Sequence, residues 1–241
     1  MNAKTKETEP EAFADQVETI CTVYAYAPLL HALGGHIIST DEMTGIQALE
    51  RSAPTQPMRP GQVERREFEY VRHGTLSLIA NFDVVTGQVI SPSLGPTRTE
   101  ADFAAHIART IDTDPEGVWL FVADQLNTHQ SETLVRLIAE RCGLPDDLGE
   151  KGASGVLRSM ATRAAFLSDP MHRIQFVYVP KHSSWLNQVE IWFSILVRRV
   201  IKRSNFTSIE ELRARILAFI AYFNQTAKPF KWTYTGRPLV A

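Results

Sequence analysis

The stretch VWLFVADQ, residues 118–125, is an unbroken apolar run that ends in an acidic residue, Asp124. Such a run is typical of a strand that is buried on both faces, as in the middle of an α/β sheet. A charged residue directly after it lies at the carboxyl end of the strand, where open α/β sheets place their sites. The stretch therefore predicts a central strand with a candidate functional residue at its end.

Other β-rich runs fit into the same sheet. GHIIST (35–40) predicts a short buried strand that ends at Asp41, and IQFVYVP (174–180) predicts a buried strand stopped by its proline. Between them, EFEYVRH (67–73) is strand-like, and TLSLIANFDVVTGQVISPSL (75–94) predicts a hairpin that turns at its Thr-Gly pair. The chain thus supplies strands both before and after the central run.

Helical spacing of apolar residues alternates with these strands. The order is strand, hairpin, helix, strand, helix, strand, helix, which predicts an α/β fold with three antiparallel strands, then alternating strands and helices. This order matches a ribonuclease H-like mixed sheet covered by helices. The predicted helices cover about 11–33 (interrupted at Pro28), 100–112 (capped by Thr99), 131–141, 185–203 and 208–225.

Composition excludes several classes of protein. With 44% hydrophobic residues the chain can form a sizeable core, but it has no apolar run of the roughly 18 residues that a membrane span needs. The N-terminus is polar and acidic, so no signal peptide is predicted. Cys21 and Cys142 are too few for a disulfide framework, and we expect buried thiols in a reduced compartment. A cytoplasmic protein is expected.

Charge is unevenly distributed along the chain. The net charge of −2 argues against a nucleic-acid partner, but six basic residues lie between Arg198 and Arg215, against only Glu210 and Glu211. A second basic group (Arg59, Arg65, Arg66 and Arg72) lies around a stretch rich in proline. Either group alone fits a solvated face or a contact with the DNA backbone.

Three carboxylates stand out by placement. Asp41 and Asp124 each follow a predicted strand, and Glu190 lies among apolar residues in the helical stretch WLNQVEIWF (185–193). Two-metal phosphoryl transfer needs oxygen ligands that converge from different elements in this way. The alternatives are that the aspartates form turns or caps, that Glu190 faces solvent, and that Asp83 of the hairpin is structural. Pattern alone leaves these alternatives open.

The sequences that surround these acids resemble the IS630 branch of the IS630/Tc1/mariner transposases. The resemblance runs over roughly residues 15–240, and the motifs occur in the family's order. The matching stretches are STDEMTGIQALER (39–51), RPGQVERREFEYVRHGTLSLIANFDVVTGQVI (59–90), VADQLNTHQS (122–131), HSSWLNQVEIWFSIL (182–196) and the C-terminal stretch 203–238.

The resemblance implies a DDE transposase. Asp41, Asp124 and Glu190 would be its catalytic acids and would hold two Mg²⁺ (or Mn²⁺) ions, for cleavage of transposon ends and joining of the 3′-hydroxyls to target DNA. The implied partners are double-stranded DNA, a second copy of the chain on DNA, and an upstream helix-turn-helix polypeptide. The implied location is nucleoid-associated, in a bacterial cytoplasm.

Further residues are candidates for DNA contact. Asn187 could instead orient Glu190, and Trp185 is interpreted as a packing anchor rather than a base-stacking platform. From the predicted elements and the resemblance we expect three regions. They are a tail with a linker helix (1–34), a catalytic domain (35–203) and a C-terminal helix with a tail (204–241). The candidate DNA contacts are Arg72, His73, His129, Asn187, Arg198, Arg199, Lys202 and Arg203.

Three features depart from the family pattern. Gln125 stands where the family usually has asparagine, and the interval from Asp124 to Glu190 is 66 positions (190 − 124), longer than is typical. The surplus lies near 140–172 and is interpreted as a surface insertion. About 35 residues precede the first predicted strand, too few for the family's DNA-recognition modules. A second-frame product, a truncated copy and a domesticated, inactive DNA-binding protein therefore remain alternatives.

Overall fold

A five-stranded mixed sheet forms the centre of the protein. The computed structural model describes residues 3–202 and 204–236, with side chains from residue 12 onward. The sheet order is β3-β2-β1-β4-β5, in which β1–β2 and β2–β3 are antiparallel while β1–β4 and β4–β5 are parallel. This confirms the predicted ribonuclease H-like sheet. The strands are β1 (Gly35–Arg51), β2 (Tyr70–Asp83), β3 (Val89–Gly95), β4 (Val118–Ala123) and β5 (Ile174–Tyr178).

Helices cover both faces of the sheet. Thr99 caps α2 through a capping box with Asp102, as the sequence predicts, and Ser131 and Ser208 cap α3 and α6. The last turns after α5 widen into a π-helix over Val197–Ile201. The α-helices are α1 (Ala3–Ala32), α2 (Glu100–Ile111), α3 (Glu132–Arg141), α4 (Met160–Leu167), α5 (Gln188–Leu196) and α6 (Ile209–Gln225).

The sheet separates two hydrophobic cores. Successive side chains of a strand point to opposite faces, so Ile37 joins the core under α1, α5 and α6, whereas Ile38 joins the core under α2, α3 and α4. In β4, Val122 faces the first core while Phe121 and Ala123 face the second. Burial on both faces explains why VWLFVA has no polar alternation.

The first strand is much longer than predicted. It runs to Arg51 instead of ending at Thr40, and its second half pairs with β2 as a two-stranded ribbon. The predicted strand 67–73 and the first hairpin strand are one element, β2, which begins at Tyr70. Ile46 and Ala48 of this ribbon pack into the first core, whereas Val71 and Arg72 opposite its far end are exposed. The exposed end is held by backbone pairing and lacks the apolar alternation that marks a buried strand.

Two predicted helix boundaries also change. The helix α1 continues through Pro28 up to Ala32, so the predicted interruption is absent there. The predicted helix 185–203 begins as α5 only at Gln188, because Asn187 has the extended backbone of an N-cap (φ −87°, ψ 109°). Asn187 therefore precedes the helix that carries Glu190.

The segment 140–172 belongs to the fold's core and is not confined to its surface. Leu148, Leu157 and Leu167 are buried in the core under α3 and α4. The buried Arg163 donates from Nε to the backbone oxygen of Gln130 at 2.6 Å. The extra length between the second and third acids therefore contributes packing to the sheet face that follows Asp124.

The C-terminal segment after α6 packs back on the first core. Close approach to the Gly87 turn is possible because Gly87 has φ +75°, and a Cβ there would lie 2.2 Å from the backbone of Lys228. Aromatic pairs then hold the segment to the body of the protein. They are Phe230 with Phe82, Trp232 with Tyr24, and Tyr234 with Trp185, with ring centroids 4.7, 4.9 and 5.1 Å apart.

Both cysteines are free thiols; Cys21 is buried and Cys142 is partly buried. None of the helices in the described ranges has the combination of length and apolarity that crossing a membrane requires.

Candidate active site

Asp41 lies in β1 at the point where that strand parts from its parallel neighbour β4. The last parallel pair is Ser39 with Val122, so Asp41 and Asp124 each come two residues later, at the same level of the sheet. Asp41 is buried, and its Oδ1 accepts from the backbone N–H of Glu42 at 2.8 Å. Burial, and next the charge of Asp124, raise the pKa of Asp41 to about 7.

Asp124 follows the last residue of β4 and is partly exposed. Its Oδ1 accepts from the backbone N–H of Leu126 at 2.9 Å and lies 2.7 Å from Nδ1 of His129. Burial by itself would raise the pKa of Asp124. The hydrogen bond and positive charge of His129 outweigh that effect and hold the pKa below its usual value.

Glu190 enters the site from the first turn of α5. Partial burial, and next the charge of Asp124, raise the pKa of Glu190. The register of β1 with β4 puts Asp41 beside Asp124, and Asn187, three residues before Glu190, donates to Asp41. Two adjacent parallel strands and one helix thus bring together the three acids selected from the sequence.

Asn187 and Ser39 fix the start of α5 against β1. Nδ2 of Asn187 donates to the backbone oxygen of Thr40 at 2.9 Å and to Oδ2 of Asp41 at 3.3 Å. Ser39 Oγ donates to Oδ1 of Asn187 and accepts from the backbone N–H of Val189 at 2.7 Å. Because Asn187 is fully buried, it orients Asp41 and the helix of Glu190 and is not placed for DNA contact.

His129 and Glu42 form a buried pair beside these acids. His129 Nε2 lies 3.0 Å from Oε2 of Glu42, and both side chains are almost completely excluded from solvent. Burial would lower the pKa of His129, but the hydrogen bonds and charges of Asp124 and Glu42 raise it to about 10. His129, a candidate DNA contact by sequence, therefore lies inside the protein.

Glu42 is the residue at this site that sequence reasoning missed. It follows Asp41 directly, and a strand residue next to an inward-facing acid is expected to point to the opposite face. The sequence does carry one signal, an acid next to Asp41 and a histidine five residues after Asp124. Only the fold shows that these two side chains meet.

The other candidate DNA contacts fall into two groups. Arg198, Arg199 and Lys202 are exposed on the helical extension of α5, the helix that begins near Glu190. Arg72 is exposed on the β1–β2 ribbon, where His73 Nε2 lies 2.7 Å from Oε2 of Glu50. Arg203 lies outside the described residues.

The donor set suits a hard divalent cation. Asp41, Glu42 and His129 each offer a ligand atom within 4.8 Å of the others. Both ring nitrogens of His129 already face carboxylates, so the free donors are carboxylate oxygens, which Mg²⁺ and Mn²⁺ prefer. Buried Oε1 of Glu42 has no hydrogen-bond partner among the described residues. The residues present therefore fit a metal-dependent site.

A protein-family model matches most of the chain. The model of a family described as DDE superfamily endonuclease matches residues 36–213, which include all three acids. The chain belongs to the DDE superfamily endonucleases. A search of curated proteins found no match.

Solved structures share the fold of this DDE superfamily endonuclease. The Mos1 mariner paired-end complex with Mn²⁺ has a TM-score of 0.55 at 13% identity, and the match covers 88% of this chain and 56% of that chain. A pre-cleavage Mos1 transpososome gives 0.53 at 13% identity, with the same coverage of 88% and 56%. The Mos1 transposase catalytic domain with raltegravir and Mn²⁺ gives 0.51 at 12% identity, covering 88% of this chain and 82% of that chain.

This DDE superfamily endonuclease is similar to only part of the longer Mos1 chains. The chain spans 56% of the Mos1 chains in the two DNA complexes, and 82% of the Mos1 catalytic domain. The similarity therefore concerns the domain that carries the acidic residues.

Proposed function

We propose that this DDE superfamily endonuclease is the catalytic domain of a transposase of the IS630 branch. It would cut transposon-end DNA and join the freed 3′-hydroxyls to target DNA. The observation that supports the proposal is the placement of Asp41 and Asp124 at one level of adjacent parallel strands, with Asn187 at the start of the Glu190 helix bonded to Asp41. The charge of Asp124 also raises the pKa of Asp41 and of Glu190. The motifs STDEMTGIQALER and WLNQVE support the IS630 branch.

Asp41, Asp124 and Glu190 would hold the divalent cations. Two bound Mg²⁺ or Mn²⁺ ions would supply charge neutralisation and Lewis acidity at the scissile phosphate. The Mos1 paired-end complex and the Mos1 catalytic domain have both been solved with Mn²⁺, which supports this choice. Asp41, whose pKa is about 7 without a cation, must lose its proton to become a ligand.

The chain's own residues orient these acids. Asn187 and the N–H of Glu42 hold the two oxygens of Asp41, and Ser39 ties the start of α5 to the same strand. Fixed carboxylates need little reorganisation when phosphate and cations arrive, which is the main way such sites accelerate phosphoryl transfer.

DNA would lie along the basic helical extension of α5. Arg198, Arg199 and Lys202 are exposed there, and arginine and lysine side chains bind phosphates without reading sequence. Mos1 has been solved as a paired-end complex, which supports transposon ends as the DNA partner. A homodimer on double-stranded DNA is part of the same proposal. Recognition of a particular end sequence would require an additional helix-turn-helix part, supplied upstream.

The domain organisation follows from this function. Residues 35–203 would form the catalytic domain, preceded by a linker helix within 1–34 and followed by a C-terminal helix and tail over 204–241. A bacterial transposase of this kind would act on the nucleoid, in the cytoplasm.

The test is a nicking and strand-transfer assay on inverted-repeat DNA with Mg²⁺ or Mn²⁺. It compares the wild-type chain with Asp124→Ala and with a control, Asp146→Ala, whose carboxylate is exposed and outside the site. We expect wild type and Asp146→Ala to cut, and Asp124→Ala to lose at least about a thousandfold in rate. The assay is repeated with the upstream DNA-recognition polypeptide, where one is encoded.

Two outcomes would contradict the proposal. If Asp124→Ala cuts as well as wild type, the cleavage does not come from this site. If no protein cuts DNA with the recognition part present, while DNA binding persists, the chain is a DNA-binding protein without catalytic activity.

A further inference from the structure

We propose that His129, held in place by Glu42, is a positioning residue that selects which oxygen of Asp124 binds a cation. This inference deepens the proposed function and rests on it. It concerns residues that do not touch the reacting phosphate. The argument depends on hydrogen-bond geometry and on burial.

The first step is the state of Asp124 Oδ1. This oxygen accepts from the backbone N–H of Leu126 at 2.9 Å and lies 2.7 Å from Nδ1 of His129. Two donors on one oxygen leave Oδ2 as the free acceptor. His129 therefore presents Asp124 as a ligand with one oxygen, in one orientation.

The second step is the rigidity of His129. Its ring is fully buried and lies 4.2 Å from the ring of Phe103. Its backbone oxygen accepts from the hydroxyl of Tyr178 at 2.8 Å, which fixes the short helical turn that carries it. A close-packed ring with both nitrogens engaged can hold its carboxylate partner in one place.

The third step is the connection through Glu42. Its backbone N–H donates to Oδ1 of Asp41, and its side chain reaches Nε2 of His129 at 3.0 Å. One residue thus links the two aspartates, by its backbone to Asp41 and through His129 to Asp124. Burying the charged carboxylate of Glu42 costs free energy. The fold tolerates that cost because His129 pairs with the carboxylate. The pair sets the relative position of ligands from β1 and β4.

The experiment uses two substitutions that each keep one ring nitrogen. In His129→Asn the amide nitrogen replaces Nδ1, which faces Asp124; in His129→Gln it replaces Nε2, which faces Glu42. Mn²⁺ binding to the full chain is measured by calorimetry, and cleavage is measured beside it. Removing a residue that hydrogen-bonds to a metal ligand typically weakens metal binding by about 10–100-fold. We expect His129→Gln to bind Mn²⁺ at least about tenfold more weakly than His129→Asn.

The control is His106→Gln, which alters another fully buried histidine remote from the acids in sequence and packed under α2. It is expected to lower thermal stability without changing Mn²⁺ affinity. If His129→Asn and His129→Gln lose affinity equally, in proportion to their loss of stability, the role of His129 is merely structural. A directly bound ¹⁴N signal in the pulsed EPR spectrum of Mn²⁺ would also overturn the inference, because it makes His129 a ligand.

Failure of the inference can be told apart from failure of the proposed function. A wild-type chain that binds Mn²⁺ and cuts DNA, with equal affinities for the two His129 variants, overturns only the positioning role. A wild-type chain that neither binds Mn²⁺ nor cuts DNA overturns both.

Discussion

Two buried histidines show how differently the two halves of one sheet face are used. His129 and His106 are both completely excluded from solvent and belong to the side of the sheet covered by α2 and α3. His129 lies between two carboxylates, and its pKa is raised to about 10. For His106, burial and then the charge of Arg109 lower the pKa to about 3.

The difference follows from the neighbours of each ring. His106 Nδ1 lies 2.6 Å from Ser93 Oγ, and its Nε2 has no partner among the described residues. His106 is therefore neutral at pH 7 and serves packing, whereas His129 is a cation that compensates buried acids. Equal burial thus has opposite electrostatic consequences, and only the region of His129 is suited to holding a cation site.

The largest effect is expected at Asp41 itself. Asp41→Asn should reduce Mn²⁺-dependent cleavage by at least about a thousandfold, since it removes a proposed ligand. The same change should stabilise the metal-free protein by up to about 4 kcal/mol at pH 8, because burial and next the charge of Asp124 oppose the ionised form of Asp41. Urea unfolding without divalent ions, beside the cleavage assay, measures both. A metal-free protein that loses stability on this change would contradict the electrostatic description.

The next largest effect separates the two histidines directly. His129→Ala should destabilise the protein by about 3–5 kcal/mol, because it leaves the buried Glu42 carboxylate without its cation. His106→Ala, which removes a neutral ring, should cost less, about 1–3 kcal/mol. Urea titrations of the two variants at pH 7.5 provide the comparison. Equal losses would mean that the charges around His129 matter no more than its volume.

Acid pH should lower the free energy of unfolding through His106. Its folded-state pKa of about 3 lies below the ordinary value of 6.5, so the unfolded chain binds more protons between these values. The contribution of His106 to the free energy of unfolding is therefore complete above about pH 6.5 and is lost as the pH falls. At pH 5 the loss should be about 2 kcal/mol relative to pH 8. His129 has the opposite sign, since its contribution is present below pH 6.5 and is lost as the pH rises toward about 10.

The measurement for this pH effect is urea unfolding between pH 5 and pH 8. The wild-type chain is compared with His106→Gln, which cannot titrate. The substitution should flatten the acid side of the stability curve. An unchanged slope would assign acid sensitivity to other groups.

The smallest effect is expected at Ser93. Ser93→Ala removes the hydroxyl that His106 and Arg109 share, at a cost of about 1 kcal/mol. Mn²⁺ affinity should stay the same, because Ser93 contacts His106 and not the residues around His129. Calorimetric titration with Mn²⁺ checks this, and a changed affinity would show that the two halves are coupled.

Much of the fold could be predicted because local patterns are strong where burial is complete. VWLFVA and IQFVY are apolar on both faces, and Thr99 and Ser131 are caps with helical spacing after them. The β1–β2 ribbon escaped prediction in its extent because half of it is exposed. Its strands are held by backbone pairing, which leaves little mark on the side chains.

The candidate site could be predicted only in part, for a related reason. Asp41, Asp124 and Glu190 stand out because strand ends and a known resemblance mark them. Asn187 and His129 stood out too, but as possible DNA contacts, since a sequence does not reveal whether a polar side chain is buried. The structure turns both inward, where each holds one of the aspartates.

The sequence by itself determined the mixed sheet, its flanking helices and the three acids, because periodicity and motif depend on neighbouring residues. The tertiary structure decided that Glu42 meets His129 across 87 positions of the chain, and that the segment 140–172 packs into the core. The meeting of Glu42 and His129 depends on the register between β1 and β4, which brings distant residues to one level of the sheet. No local pattern encodes that register, so only the folded chain shows which buried charges compensate one another.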